Sequence, residues 1–202
     1  TSSLVTPSRL PTSSSGFARI ARPSTPAAEP SARPGGEQVA RPGQSLFLMP
    51  GQWYFGSEAA SLRTLLGSCV AVTLWHPVRR LGGMCHYLLP ERGGATTVGL
   101  DGRYGTEAID LLVQRLRRAG THPDEFVAHL YGGADTMPER SGVKFNVGER
   151  NIEIGWTLIH RHGFQLDGVD VGDNVPRTVT LFIENGEVQM TRGARHQPGK
   201  GD

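Results

Sequence analysis

The 202-residue chain is 37% hydrophobic and carries a formal net charge of +2 at pH 7, enough apolar content for one domain or at most two small ones. No run of 18 apolar residues marks a membrane-spanning helix, and two cysteines in this length make no disulfide framework, so a reducing cytoplasm is the simpler setting. Residues 1–45 hold five arginines against two glutamates, which leaves about −1 for the remainder and no electrostatic argument for nucleic acid.

The same 45 residues contain half of the 14 prolines and nine serines. They read as a disordered tail, because so few bulky apolar groups cannot offset the entropy of ordering. No apolar h-region of a secretory signal stands in them. From Leu46 to Arg192 short apolar runs punctuated by glycine indicate one α/β or α+β domain, followed by a flexible C-terminus over 193–202. Phe47–Gly56 (FLMPGQWYFG) predicts a strand with a turn inside it. Ser68–Trp75 and Gly83–Leu89 predict two strands joined by a connection short enough to make an antiparallel hairpin.

Gly105–Gly120 has Ala108, Leu111, Leu112 and Leu116 at helical spacing, with Thr106 as N-cap and Gly120 as terminator. Glu125–Gly133 (EFVAHLYGG) predicts a strand ending in a glycine pair. A second helix follows from Asn146 as cap to Gly163 as stop, with Ile152, Trp156 and Ile159 expected inward. Phe164–Asn174 reads as a strand entering a turn. Arg177–Arg192 reads as a hairpin around Asn185 and Gly186.

Both cysteines lie in TLLGSCVAVTLWHPVRRLGGMCHYLLP, Thr64 to Pro90. Successive strand residues point to opposite faces, so Cys85 and His86 cannot serve one site. In a hairpin centred near residues 78 to 79, His86 falls opposite a position within two residues of Cys69, and one of the two register parities puts both on one face. An imidazole that takes the thiol proton and later protonates a leaving group would make such a pair a nucleophilic hydrolase. Thr64 carries a hydroxyl that could orient the imidazole, and the turn at Gly67 and Ser68 offers N–H groups for an oxyanion hole worth roughly 3 to 4 kcal/mol. Taken alone, a cysteine at the start of an apolar strand is more often a small buried hydrophobe than a nucleophile, and a lone strand histidine more often packed or exposed than catalytic. Metal binding needs three or four converging ligands, and the remaining histidines do not provide them.

The ordered set LGSCVAV around Cys69, GGMCHYLLP around His86, RYG at Arg103–Gly105, YGGAD at Tyr131–Asp135, NVGERN at Asn146–Asn151 and Asp-x-Gly at Asp170–Gly172 resembles the chemoreceptor glutamine deamidase family, CheD. The resemblance implies hydrolysis of glutamine side-chain amides in methyl-accepting chemotaxis receptors, without metal or cofactor. It implies Cys69 as a thioester-forming nucleophile, His86 as base and then acid, and Thr64 as the residue that orients His86. It also implies an α+β fold of sandwich-like mixed sheets with two amphipathic helices packed on one side, similar to that of cytotoxic necrotising factor toxins. The implied partners are the receptors and, in some members, a CheC-like phosphatase.

One departure bears on the site and another on a surface loop. The family threonine stands six residues before the cysteine, whereas Thr64 stands five before Cys69 and Arg63 occupies the six-residue position. The glycine pair near the last turn reads Gly172 and Asp173. Asp135, Asn146 and Arg150 are further candidates for a substrate groove, because glycine-bounded loops are where such residues sit. Turn and cap roles account for them equally well. Two other functions stand beside the deamidase: a different Cys/His amidase or peptidase, and an adaptor that binds receptors or a CheC-like phosphatase with little catalysis.

Overall fold

Residues 36–94, 99–135 and 146–194 are described by the computed structural model, and they belong to one compact unit. The expected tail over 1–35 and the last eight residues of the expected flexible C-terminus lie outside them. The strands are β1 (Gln44–Phe47), β2 (Trp53–Gly56), β3 (Ala59–Leu66), β4 (Val70–His76), β5 (Leu81–Tyr87), β6 (Val127–Gly132), β7 (Gln165–Val171), β8 (Arg177–Phe182) and β9 (Val188–Arg192). The helices are α1 (Gly105–Arg118) and α2 (Val147–His162).

Near-continuous apolar character in β4 and β5 has a simple cause: their sheet is covered on both faces. That five-stranded sheet has the order β2-β5-β4-β6-β7, and a four-stranded sheet has the order β1-β3-β8-β9. One face of the first sheet presents Val70, Val72, Leu74, Cys85 and Tyr87 to Ile109, Leu112 and Leu116 of α1 and Leu158 and Ile159 of α2. Its other face packs Ala71, Met84 and Tyr131 against Leu62, Leu66, Val179 and Leu181 of the second sheet. The result is the expected α+β arrangement in three layers, helices, sheet, sheet.

Several elements differ from the sequence expectation. The sheet begins before Leu46, because β1 starts at Gln44 and Glu37 bridges Trp53 on the edge of β2. Backbone ladder bonds need no apolar side chain, so composition does not mark this boundary. The segment Phe47–Gly56 is two strands of different sheets, separated by the turn at Pro50 and Gly51. Strand β3 carries no clear sequence signal, since Arg63 and Leu65 on its outer face are both exposed.

Helix α1 starts at Gly105 with Tyr104 at the cap, so Thr106 is already helical. Trp156 faces outward at 45% exposure, because α2 turns its smallest residues to the sheet. A Cβ on Gly155 would meet the Tyr87 hydroxyl at 2.5 Å, and one on Gly148 would meet the Gly133 carbonyl at 2.5 Å. Large side chains at those positions would push the helix off the layer below.

Candidate active site

The hairpin register pairs Ala71 with His86, which puts His86 diagonal to Cys69 on the same face of the sheet. Both therefore point into the space between the two sheets, while Cys85, paired with Val72, points into the helix-facing core. Thr64 reaches the same space from β3 of the opposing sheet. Its Oγ1 lies 2.7 Å from His86 Nδ1 and donates to the Leu48 carbonyl at 2.8 Å. A threonine hydroxyl has one proton; with that proton on the Leu48 carbonyl, Oγ1 accepts from Nδ1–H. The tautomer is then fixed with the free lone pair on Nε2.

His86 Nε2 is buried and has no hydrogen-bond partner among the described residues. His86 itself is 1% exposed and Thr64 is fully buried, whereas Cys69 is only half-buried. Its main chain is held on both sides as well, by Gly51 N–H to the His86 carbonyl at 2.6 Å and by His86 N–H to Gln52 at 3.0 Å. The imidazole is thus rigidly placed with its base nitrogen unspent.

Burial sets the resting protonation. Desolvation lowers the His86 pKa to about 4, a hydrogen bond to the Leu48 carbonyl offsetting part of the effect. Desolvation also raises the Cys69 thiol above its ordinary value. Both shifts favour the neutral form, because desolvation penalises the thiolate and the imidazolium alike. Cys85, completely buried, is pushed up to about 12 by desolvation and is chemically inert.

Three successive carbonyls of the loop before β4 are held, the outer two by the segment after β6 and the middle one by α2. Gly67 accepts from Ala134 N–H at 2.8 Å, Ser68 from Asn151 Nδ2 at 3.1 Å, and Cys69 from Gly133 N–H at 2.8 Å. In a trans peptide the N–H points opposite to the carbonyl, so the Cys69 N–H faces away from α2 and the Ser68 N–H away from Ala134. Neither has an acceptor among the described residues. Gly132 makes this packing possible: its φ of +108° suits glycine, and a Cβ there would sit 2.3 Å from the Cys69 carbonyl.

Of the residues singled out from sequence, Cys69, His86, Thr64, Gly67 and Ser68 converge on this end of the sandwich. Arg63 is exposed on the outer face of β3 and takes no part. Asp135 is exposed, and its N–H donates to the Asp173 carbonyl at 2.8 Å. Asn146 is exposed at the cap of α2 and makes no side-chain cap bond. Arg150 is exposed and lies 3.8 Å from Glu91. None of these three contacts Cys69 or His86 through any polar group described. Among the described residues no three histidine, cysteine or carboxylate side chains converge as a metal site would require.

Sequence reasoning missed Asn151 and the Leu48 carbonyl. The carbonyl carries no residue-type signal at all. Asn151 does: Gly148, Asn151, Gly155 and Leu158 recur at helical spacing, and all four are buried, so an amide amid the small-residue face marks a polar anchor.

Comparisons with known proteins agree with the motifs. The family model described as "CheD chemotactic sensory transduction" matches residues 88–192, beginning two residues beyond His86. A protein of Dechloromonas aromatica named probable chemoreceptor glutamine deamidase CheD 3 is 41% identical over 139 residues, 69% of this chain and 82% of that one. A CheD 1 protein of Chromobacterium violaceum with the same description is 42% identical over 167 residues, 82% of this chain and 81% of that one. A Pseudomonas syringae pv. tomato relative, likewise named, is 38% identical over 146 residues, covering 71% and 84%. Among solved structures, the hypothetical protein YfiH of Bacillus licheniformis matches with a TM-score of 0.36 at 12% identity, over 69% of this chain and 65% of that one.

Proposed function

Because this chain belongs to the CheD family, we propose that it is a protein-glutamine deamidase that converts specific glutamines of chemotaxis receptors to glutamate and ammonia. The observation that carries the reading is the unspent Nε2 of His86, fixed by Thr64 on the same sheet face as the half-buried Cys69. A Cys/His pair so arranged suits amide hydrolysis, since one nitrogen must accept the thiol proton and then deliver it to the departing amine.

In the first half-reaction, Cys69 Sγ bonds to the glutamine δ-carbon as its proton passes to His86 Nε2. The carbonyl π electrons move onto oxygen, where the Ser68 and Cys69 N–H groups stabilise the charge. Collapse breaks the C–N bond, and the imidazolium protonates the leaving nitrogen, so ammonia departs and a thioester remains. Water then attacks the thioester carbon and gives its proton to Nε2. Breaking the C–S bond releases the glutamate side chain and the thiolate, which recovers its proton from His86. Thr64 holds Nδ1–H throughout, which keeps Nε2 as the exchanging nitrogen. The partner is the receptor segment itself; a CheC-like phosphatase rests on the resemblance alone.

The test is ammonia release from a receptor cytoplasmic fragment, with hydroxylamine added to intercept the thioester. Wild type should release ammonia and form glutamyl hydroxamate, and Cys69→Ala should do neither. Ammonia release that survives Cys69→Ala overturns the nucleophile assignment.

A further inference from the structure

Asn151 is fully buried on α2, and its amide nitrogen donates twice, to Ser68 at 3.1 Å and to Leu88 at 2.8 Å. Ser68 immediately precedes Cys69, and Leu88 lies two residues past His86. One side chain thus ties together the chain segments that carry both reactive groups. The Tyr87 hydroxyl in turn donates to the Asn151 carbonyl at 2.7 Å, which fixes this turn of α2 against β5.

The contact to Ser68 differs in kind from its neighbours. The Gly67 and Cys69 carbonyls are held by backbone N–H groups of the Gly133–Ala134 segment, a consequence of the fold itself. The Ser68 carbonyl depends on a side chain. It belongs to the peptide whose other end is the Cys69 N–H, and the plane of that peptide decides where the N–H points. With the carbonyl drawn toward the helix layer, the N–H is turned to the opposite side, where Cys69 packs against the inter-sheet cluster. Without the Asn151 amide, nothing described holds the Ser68–Cys69 peptide in that sense.

We infer that Asn151 is a positioning residue that orients the Cys69 N–H as an oxyanion donor. The inference rests on the deamidase reading above. Losing one such donor typically lowers kcat about 10²- to 10³-fold. Asn151→Ala and the milder Asn151→Ser should therefore lower kcat by about 100-fold with KM changed by no more than about threefold. Alkylation of Cys69 by iodoacetamide attacks a saturated carbon and develops no oxyanion. Its rate should accordingly stay near that of wild type in both variants, with Cys69→Ala as the background.

A second measurement needs no variant. A receptor peptide bearing a glutamate side-chain aldehyde in place of the target glutamine should add to Cys69: Sγ bonds to the aldehyde carbon, and the thiol proton ends on oxygen. In the adduct the Cys69 amide proton should move strongly downfield by nuclear magnetic resonance as it donates to that oxygen. An adduct without this shift overturns the role of the N–H, and with it the inference about Asn151. So does a kcat per folded enzyme near wild type in the variants, or an alkylation rate that falls in step with kcat, which marks general collapse of the site. Failure of the aldehyde to bond Cys69 at all is a different result. It removes the deamidase reading and this inference together.

Discussion

Replacing Thr64 by valine keeps the shape of the side chain and deletes the hydroxyl that joins His86 Nδ1 to the Leu48 carbonyl at 2.7 and 2.8 Å. Two buried polar groups then lose their main partner. At about 1 to 2 kcal/mol for each, stability should fall by about 2 to 4 kcal/mol. The catalytic effect works through the tautomer. With Oγ1 gone, the one acceptor left near Nδ1–H among the described residues is the Leu48 carbonyl at 3.4 Å, so the proton is no longer held on Nδ1 and Nε2 spends part of its time protonated. General-base catalysis typically contributes 10²- to 10⁴-fold, and partial loss of it should lower kcat by about 100-fold, less than His86→Gln. Thr64→Ser restores the hydroxyl and should recover most of kcat. The assay is single-turnover ammonia release from a receptor fragment, with thermal unfolding measured on the same samples. A Thr64→Val enzyme whose kcat stays within about threefold of wild type would refute the relay.

The pH dependence follows from burial of His86. Its folded pKa of about 4 lies below the ordinary 6.5, so the unfolded chain binds more protons between those values and stability falls as pH drops through that window. The loss should approach about 3 kcal/mol near pH 4, be absent above about pH 6.5, and vanish in His86→Gln, as denaturant unfolding at several pH values will show. The acid limb of kcat/KM should likewise lie near pH 4, and a limb near 6.5 contradicts the buried neutral base. Cys85→Ala should leave kcat unchanged and cost about 1 kcal/mol of stability, whereas Cys85→Ser buries a hydroxyl in the helix-facing core and should cost more. Gly132→Ala, with its Cβ 2.3 Å from the Cys69 carbonyl, should lower both stability and activity, and unchanged circular dichroism melting with full activity would show that the loop tolerates a shift.

How much of this was legible beforehand depends on chain distance. Strand alternation separates Cys85 from His86 locally, and the short turn over residues 77–80 sets the parity that pairs Ala71 with His86. Both relations lie within one hairpin, so spacing alone constrains them. Thr64 meets His86 across the gap between two sheets. No periodicity foretells that contact, and the short alternation of β3 gave no assignment over the segment that carries it. The motif order stood in for the missing geometry. Trp156 shows the opposite failure: ranking helix faces by size of apolar residue misplaced it, because close approach of α2 to the sheet selects Gly148 and Gly155 for the inner face. The same rule would have pointed to Asn151, the one polar residue on that face.

The central claim is that Cys69 deamidates receptor glutamine, and mass spectrometry of a receptor cytoplasmic fragment tests it directly. After incubation with wild-type protein, specific glutamine-containing peptides should show the amide-to-acid mass increase, and incubation with Cys69→Ala should leave them unchanged. Peptides of the cognate receptor that stay as amides with wild type, or convert equally with Cys69→Ala, contradict the account.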